Sequence, residues 1–278
     1  MKRLCWLSSF ALLVLLLSFP LVLPAMAAHP SVADANGHNP KIFPVSSRPY
    51  GASYGEWAGR FWQWAASMPI DNHPLYDTAD CSEGQSGPVW FLGSTFSPSV
   101  GGGGEILAYA TRNCDVPAGK ALFVPIINSE ASTLEGNGTT EAELSAAAKS
   151  FQDFAQNMSC EVDGFIVQNV NAFRVQSPLY TFGPLPDNNL FQSFGLDAPA
   201  GTTSASVADG VHIMIAPLSV GSHTIHFKGE IPAFNFFVDV TYHLNVVGGG
   251  GNATGTASLP GTPMHWGLLK AKYAHQGN

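Results

Sequence analysis

Apolar residues recur along this chain with two different periods. Trp57, Phe61, Trp64, Ala65 and Met68 fall at i, i+4, i+7, i+8 and i+11, the stripe of a helix with one buried side. Ser53-Tyr54-Gly55-Glu56 precedes the stripe with the spacing of a capping box: the serine hydroxyl accepts the N–H three residues on, and the glutamate reaches back. Pro69 ends the helix. Trp62 lies off the stripe, so this helix is aromatic over more than one side. A second capping box, Thr140-Glu141-Ala142-Glu143, opens a helix carrying Leu144, Ala147, Ala148, Phe151, Phe154, Ala155 and Met158.

Elsewhere the apolar runs are short and bounded by turn residues. Residues 89–95, 106–111, 120–127, 160–167 and 172–176 read as strands, with Asp163-Gly164 as a turn and Gly101 to Gly104 as a loop. Residues 207–216 and 223–227 read as a hairpin turning through Pro217 to Ser222. Over 236–246 the alternation is strict: Phe236, Val238, Val240, Tyr242, Leu244 and Val246 on one side, Phe237, Asp239, Thr241, His243 and Asn245 on the other. One buried and one wet side is the mark of an antiparallel sheet. Many short strands with two helices predict a mainly β fold, an antiparallel β-sandwich or jelly-roll-like core with two packed α-helices. A single β-rich domain is expected over 53–247. An N-terminal arm over 28–52 precedes it, and a Gly-rich flexible tail over 248–278 follows.

The first 27 residues read as an address. A basic Met1-Lys2-Arg3 start, an apolar run and the small-x-small Ala25-Met26-Ala27 form the pattern of a secretory signal peptide. Pro20 and Pro24 interrupt the apolar stretch, which falls short of the roughly 20 residues that a membrane span requires. Cleavage would leave a protein with no membrane span, secreted or periplasmic. In that oxidising setting three cysteines remain, and the expected bridge is Cys81–Cys114, both in polar loops, with Cys160 a buried thiol.

Composition then restricts the chemistry. The chain has 278 residues, of which 12% are charged and 11% aromatic, with net charge −8. The acidic balance excludes a nucleic-acid partner, which needs a phosphate-neutralising basic side. Nucleophile, P-loop and dinucleotide motifs are missing from the sequence, and no cofactor is expected. Glycoside hydrolysis would need two carboxyls, roughly 5 Å apart for retention or 6.5–9.5 Å for inversion. The candidates are Glu130, at the end of an apolar strand, with Asp209 or Asp71. His226, His243 and Asp239 are weak candidates for a metal site, with spacing unlike any zinc motif.

Tyr54-Gly55-Glu56-Trp57 with Trp62-Gln63-Trp64, residues 85–92 (QSGPVWFL), Val116-Pro117-Ala118-Gly119-Lys120 and residues 123–128 (FVPIIN) form a combined pattern. Asp209-Gly210 and the segment 217–227 belong with it. Over most of residues 50–247 the chain resembles a family of exported bacterial proteins without an assigned biochemical activity. The resemblance implies export and no known catalytic residues.

The leading expectation is therefore an exported module binding a glycan or another small neutral ligand. Such sites pair aromatic faces with a few fixed polar groups. The expected lining is Trp62, Trp64, Asn128, Glu130 and Arg174. A secreted hydrolase using paired carboxylates and a structural envelope protein without ligand are the alternatives. A close carboxylate pair would favour the first of these, and the absence of an aromatic-lined pocket the second.

Overall fold

The computed structural model describes residues 41–248; the signal-peptide segment and nearly all of the expected tail lie outside the described residues. The fold is mainly β, with two sheets packed as a sandwich and helices laid on one of them. The five-stranded sheet contains β1 (Val89–Phe91), β4 (Ala121–Ser132), β9 (Ser204–Ile215), β7 (Arg174–Gln176) and β8 (Tyr180–Phe182), the last two both pairing with β9. The six-stranded sheet runs β2 (Ser99–Val100), β3 (Ile106–Pro117), β11 (Phe236–Val247), β10 (Gly221–Ile231), β5 (Gln156–Val162), β6 (Phe165–Ile166). Both sheets are mixed rather than purely antiparallel, because β1 runs parallel to β4 and β3 parallel to β11.

The core between the sheets follows from alternation. Val240, Tyr242 and Leu244 of β11 and Ile225 and Phe227 of β10 meet Leu122 and Val124 of β4 and Val211, Ile213 and Ile215 of β9. The other side of β11 stays wet, as its strict alternation requires: Asp239, His243 and Asn245 are exposed. Since β9 and β10 both turn apolar residues into this one core, they face each other across it. The expected hairpin between them is instead a crossing from one sheet to the other.

On its second side the five-stranded sheet carries α1 (Tyr54–Ala66). The Ser53–Glu56 capping box is formed in both directions. Trp57, Phe61, Trp64 and Ala65 are buried with Phe123, Ala208 and Met214 of the sheet. Gly55 and Gly59 let the helix come close: a Cβ at Gly55 would stand 2.4 Å from the Gln176 carbonyl oxygen. The second helix, α2 (Glu141–Gln152), has the Thr140–Glu143 box and buries Leu144 and Ala148 on Ala131 and Val207. It ends before Phe154, Ala155 and Met158, because Gln156 to Val162 pairs with β10 as a strand. A third helix, α3 (Leu190–Ser193), is a single turn capped by Asn189.

Residues 41–43 of the expected arm belong to the fold. The Phe43 N–H donates to the Met214 carbonyl at 2.9 Å, and the Ala216 N–H to the Lys41 carbonyl at 2.7 Å. The Tyr54 hydroxyl anchors the same stretch by donating to the Phe43 carbonyl at 2.5 Å. Among the described residues no helix is long and apolar enough to cross a membrane.

Candidate functional site

The register of β4 against β9 decides which candidate residues can meet. Ser129 pairs with Asp209 and Glu130 with Ala208. Side chains alternate along a strand. Glu130 therefore points to the α1 side of the sheet and Asp209 to the α2 side, and the two cannot act as a catalytic pair. Glu130 is buried, and its Oε1 accepts from the Ser206 hydroxyl at 2.9 Å. Asp209 takes the Arg174 guanidinium at 2.8 Å and the Gln176 amide at 3.2 Å. Arg174 also pairs with Asp153 at 2.9 Å, so its donors clamp α2 to the sheet. Asp71 lies apart, exposed in the short turn Ile70–Asn72, accepting from the Asn188 amide at 2.6 Å.

The expected ligand residues divide in the same way. Trp64 is packed among Phe61, His73 and Phe91, in the core rather than in a platform. Glu130 and Arg174 are committed as described, on opposite sides of the sheet. Trp62 and Asn128 do come together. They line a pocket at the edge of β4, walled by Phe61 of α1, Leu75, Ser94 and Phe96, the stretch from Pro125 to Ile127, and Phe236 and Val238 of β11.

Local sequence explains why an opening lies there. β1 pairs with β4 only over Ala121 to Phe123. Beyond it, β4 carries Pro125, which lacks an N–H, and a register shift between Pro125 and Ile127. Proline and bulges belong to strand edges. The far wall is held by a buried strut. Arg112 donates to the Gly93 and Ser94 carbonyls, each at 3.0 Å, and to the Tyr242 hydroxyl at 2.7 Å. Asp77 balances its charge at 2.6 Å.

The pocket has about 30 Å³ of room at its centre, enough for two waters or so, each needing on the order of 10–15 Å³ on this measure. No ionisable side chain is among its lining residues. Two of its lining residues carry a buried donor with no hydrogen-bond partner, the Trp62 indole N–H and the Asn128 Nδ2 amide, both closed off from solvent. Trp64 and Trp90 also have unpaired indole N–H groups. A buried unpaired donor costs about 1–3 kcal/mol.

The histidine candidates share one side of the six-stranded sheet. His226 bonds Asp239 at 2.8 Å. His243 sits on the neighbouring strand opposite Thr224. The described residues hold no cluster of three or more His, Cys, Asp or Glu side chains arranged to bind a metal.

A more suggestive set lies elsewhere. His223 Nδ1 is 2.7 Å from Asp163, and its Nε2 is 3.3 Å from the Ser219 hydroxyl, the order of a nucleophile triad. That Nε2 is closer to the Ser219 carbonyl, at 2.9 Å. A ring between a carboxylate and a carbonyl is favoured as the imidazolium, which donates at both nitrogens and is not a base. Burial alone would lower its pKa, but Asp163 and the Ser219 carbonyl outweigh that and hold it above the ordinary histidine value.

Sequence reasoning found Trp62 and Asn128 but missed Ser94, Phe96, Phe236 and Val238, which reach the pocket from distant stretches. Pro125 within an apolar strand was the available signal of an open edge. Cys81 and Cys114 lie at disulfide distance, with Cα atoms 5.6 Å apart. Cys160 is a free buried thiol whose pKa burial pushes up to about 12. No family model matches the chain. No curated protein and no solved structure matches it either.

Proposed function

We propose that this chain is an exported binding module for a neutral glycan or another small neutral ligand, with its site in the Trp62–Asn128 pocket. The observation that supports this reading is an aromatic-walled pocket with no ionisable side chain in its lining. Apolar and aromatic walls with few charges suit a neutral ligand. The rigid Arg112 strut favours a preformed site. The cysteine pair at disulfide distance fits an oxidising compartment, and with the N-terminal signal pattern it supports a secreted or periplasmic location. Membership of the exported bacterial family that the chain resembles is part of the same proposal. An aromatic-lined pocket favours a ligand over a purely structural envelope role, and the separation of Glu130 from Asp209 disfavours a carboxylate-pair hydrolase.

Calorimetry of the mature protein against a panel of neutral and acidic glycans, with reducing-end release followed in parallel, tests the reading. Binding of a neutral ligand without release is expected. Asn128→Leu should abolish that binding, while Glu130→Gln, at a residue outside the pocket, should retain it. Release that disappears in Glu130→Gln would replace the binding module with a hydrolase.

A further inference from the structure

We propose that the pocket takes the exocyclic methyl group of a 6-deoxyhexose, with the sugar ring left at its mouth. This rests on the binding-module reading and narrows it to sugars with an apolar end. What carries it is a division of the lining by polarity and exposure together. Nine of the eleven lining residues are apolar, and all nine are buried, Phe61, Leu75, Ile126, Ile127 and Val238 among them. The other two, Ser94 and Asn128, are polar, and they alone are half-buried. The polar end of the pocket is therefore its solvent end, and the inner end is apolar. The room at the centre, about 30 Å³, is that of roughly two waters. It admits a methyl group and the carbon that bears it, but not a ring.

The fit follows from the two ends. A methyl group that enters gains contact with buried apolar walls and has no polar atom to desolvate. The ring hydroxyls stay at the mouth, where Ser94 and Asn128 are the polar side chains and solvent is near. An ordinary hexose differs at this position by one hydroxyl. Its hydroxymethyl group would bring that O–H in among apolar side chains, where a hydroxyl without a partner is costly. A uronic acid or a sugar phosphate would be desolvated with no cation among the lining residues, and an amino sugar with no carboxylate.

The experiment follows the isoleucine methyl resonances of the mature, 13C-methyl-labelled protein, with Ile126 and Ile127 assigned through Ile126→Val and Ile127→Val. The probes are matched pairs that differ only in the hydroxyl on the sixth carbon: L-fucose with L-galactose, and L-rhamnose with L-mannose. The expected result is a saturable shift of the Ile126 and Ile127 methyls with the deoxy member of at least one pair. Its Kd should be about tenfold below that of its hydroxylated partner, the factor expected for one hydroxyl desolvated without a partner. Val238→Thr, nearly the same shape with a hydroxyl set in the apolar end, should weaken the deoxy sugar and narrow that ratio. Because the wild-type titration is itself decisive, a variant that fails to fold does not remove the test. Equal response to both members of each pair, or tighter binding of the hydroxylated one, overturns the methyl assignment and leaves the binding module standing. So does a response confined to neutral sugars without an exocyclic methyl. No response to the four probes or to a wider panel of neutral glycans overturns both, and the pocket is then a gap in the packing.

Discussion

His73 is held neutral by its neighbours. Its Nε2 faces the Ala65 carbonyl at 3.0 Å and its Nδ1 accepts from the Leu75 N–H at 3.0 Å, which fixes the tautomer with the proton on Nε2. Complete burial lowers its pKa to about 4. His212 is neutral for a different reason. It is stacked on Phe123, with ring centroids 5.2 Å apart, and neither nitrogen has a well-formed bond. Burial lowers its pKa to about 3, with the Gly210 backbone compensating in part. Below the ordinary histidine value of 6.5 the unfolded chain takes up protons that these two rings refuse. Stability should therefore fall as pH drops from 6.5 towards 4, by up to about 1.4 kcal/mol per pH unit for each ring. Denaturant midpoints measured across that range should show the decline, and His212→Leu should make it shallower. A flat profile in the wild type would contradict the burial of both rings. His223 has the opposite sign. Its raised pKa contributes stability below 6.5 that is lost as pH rises through the folded value. An NMR titration should place it above 6.5, and Asp163→Asn should bring it down.

At the scale of elements, α1 shows what sequence can and cannot state. Its cap, stripe and stop were legible because they are local: Ser53, Glu56 and Pro69 act within one turn of where they stand. Ser53→Ala should cost about 1 kcal/mol, and Trp57→Ala, in the core, about 3–5 kcal/mol, both by thermal or denaturant unfolding. Gly55→Ala tests the packing that sequence did not reveal. Helix propensity alone favours alanine by about 1 kcal/mol, yet the added methyl would meet the Gln176 carbonyl of β7. Net destabilisation is expected, and a stabilised variant would show that the helix lies farther from the sheet. The C-terminal end of α2 was misread because Phe154, Ala155 and Met158 continue a helical spacing, while pairing of Gln156 to Val162 with β10 draws them into a strand. The crossing of β9 to β10 was likewise hidden. Two apolar strands joined by a Gly-containing turn look the same whether they lie side by side or face each other. The pocket was half legible for a related reason. Trp62 and Asn128 stand out by type, but their neighbours are chosen by topology.

Across the whole molecule, Cys81 and Cys114 stand 33 residues apart in sequence and bring the segment before β1 against β3, the neighbour of the edge strand β2. Replacing both with serine should cost about 3–4 kcal/mol on the chain-entropy estimate, read as a lower denaturant midpoint that reducing agent reproduces in the wild type. The parallel pairing of β3 with β11 has a larger consequence. β11, the last strand described, lies between β3 and β10, in register with β3 from Ile106 to Pro117 along its whole length. A chain ending before Phe236 would have the two flanks of a sheet and nothing to join them. Closure of the sandwich must wait for residues emerging more than a hundred positions after β3, and partners so remote in sequence make for slow assembly. If the chain is exported unfolded, as proposed, that delay is an asset: the sandwich cannot close until its final strand has followed.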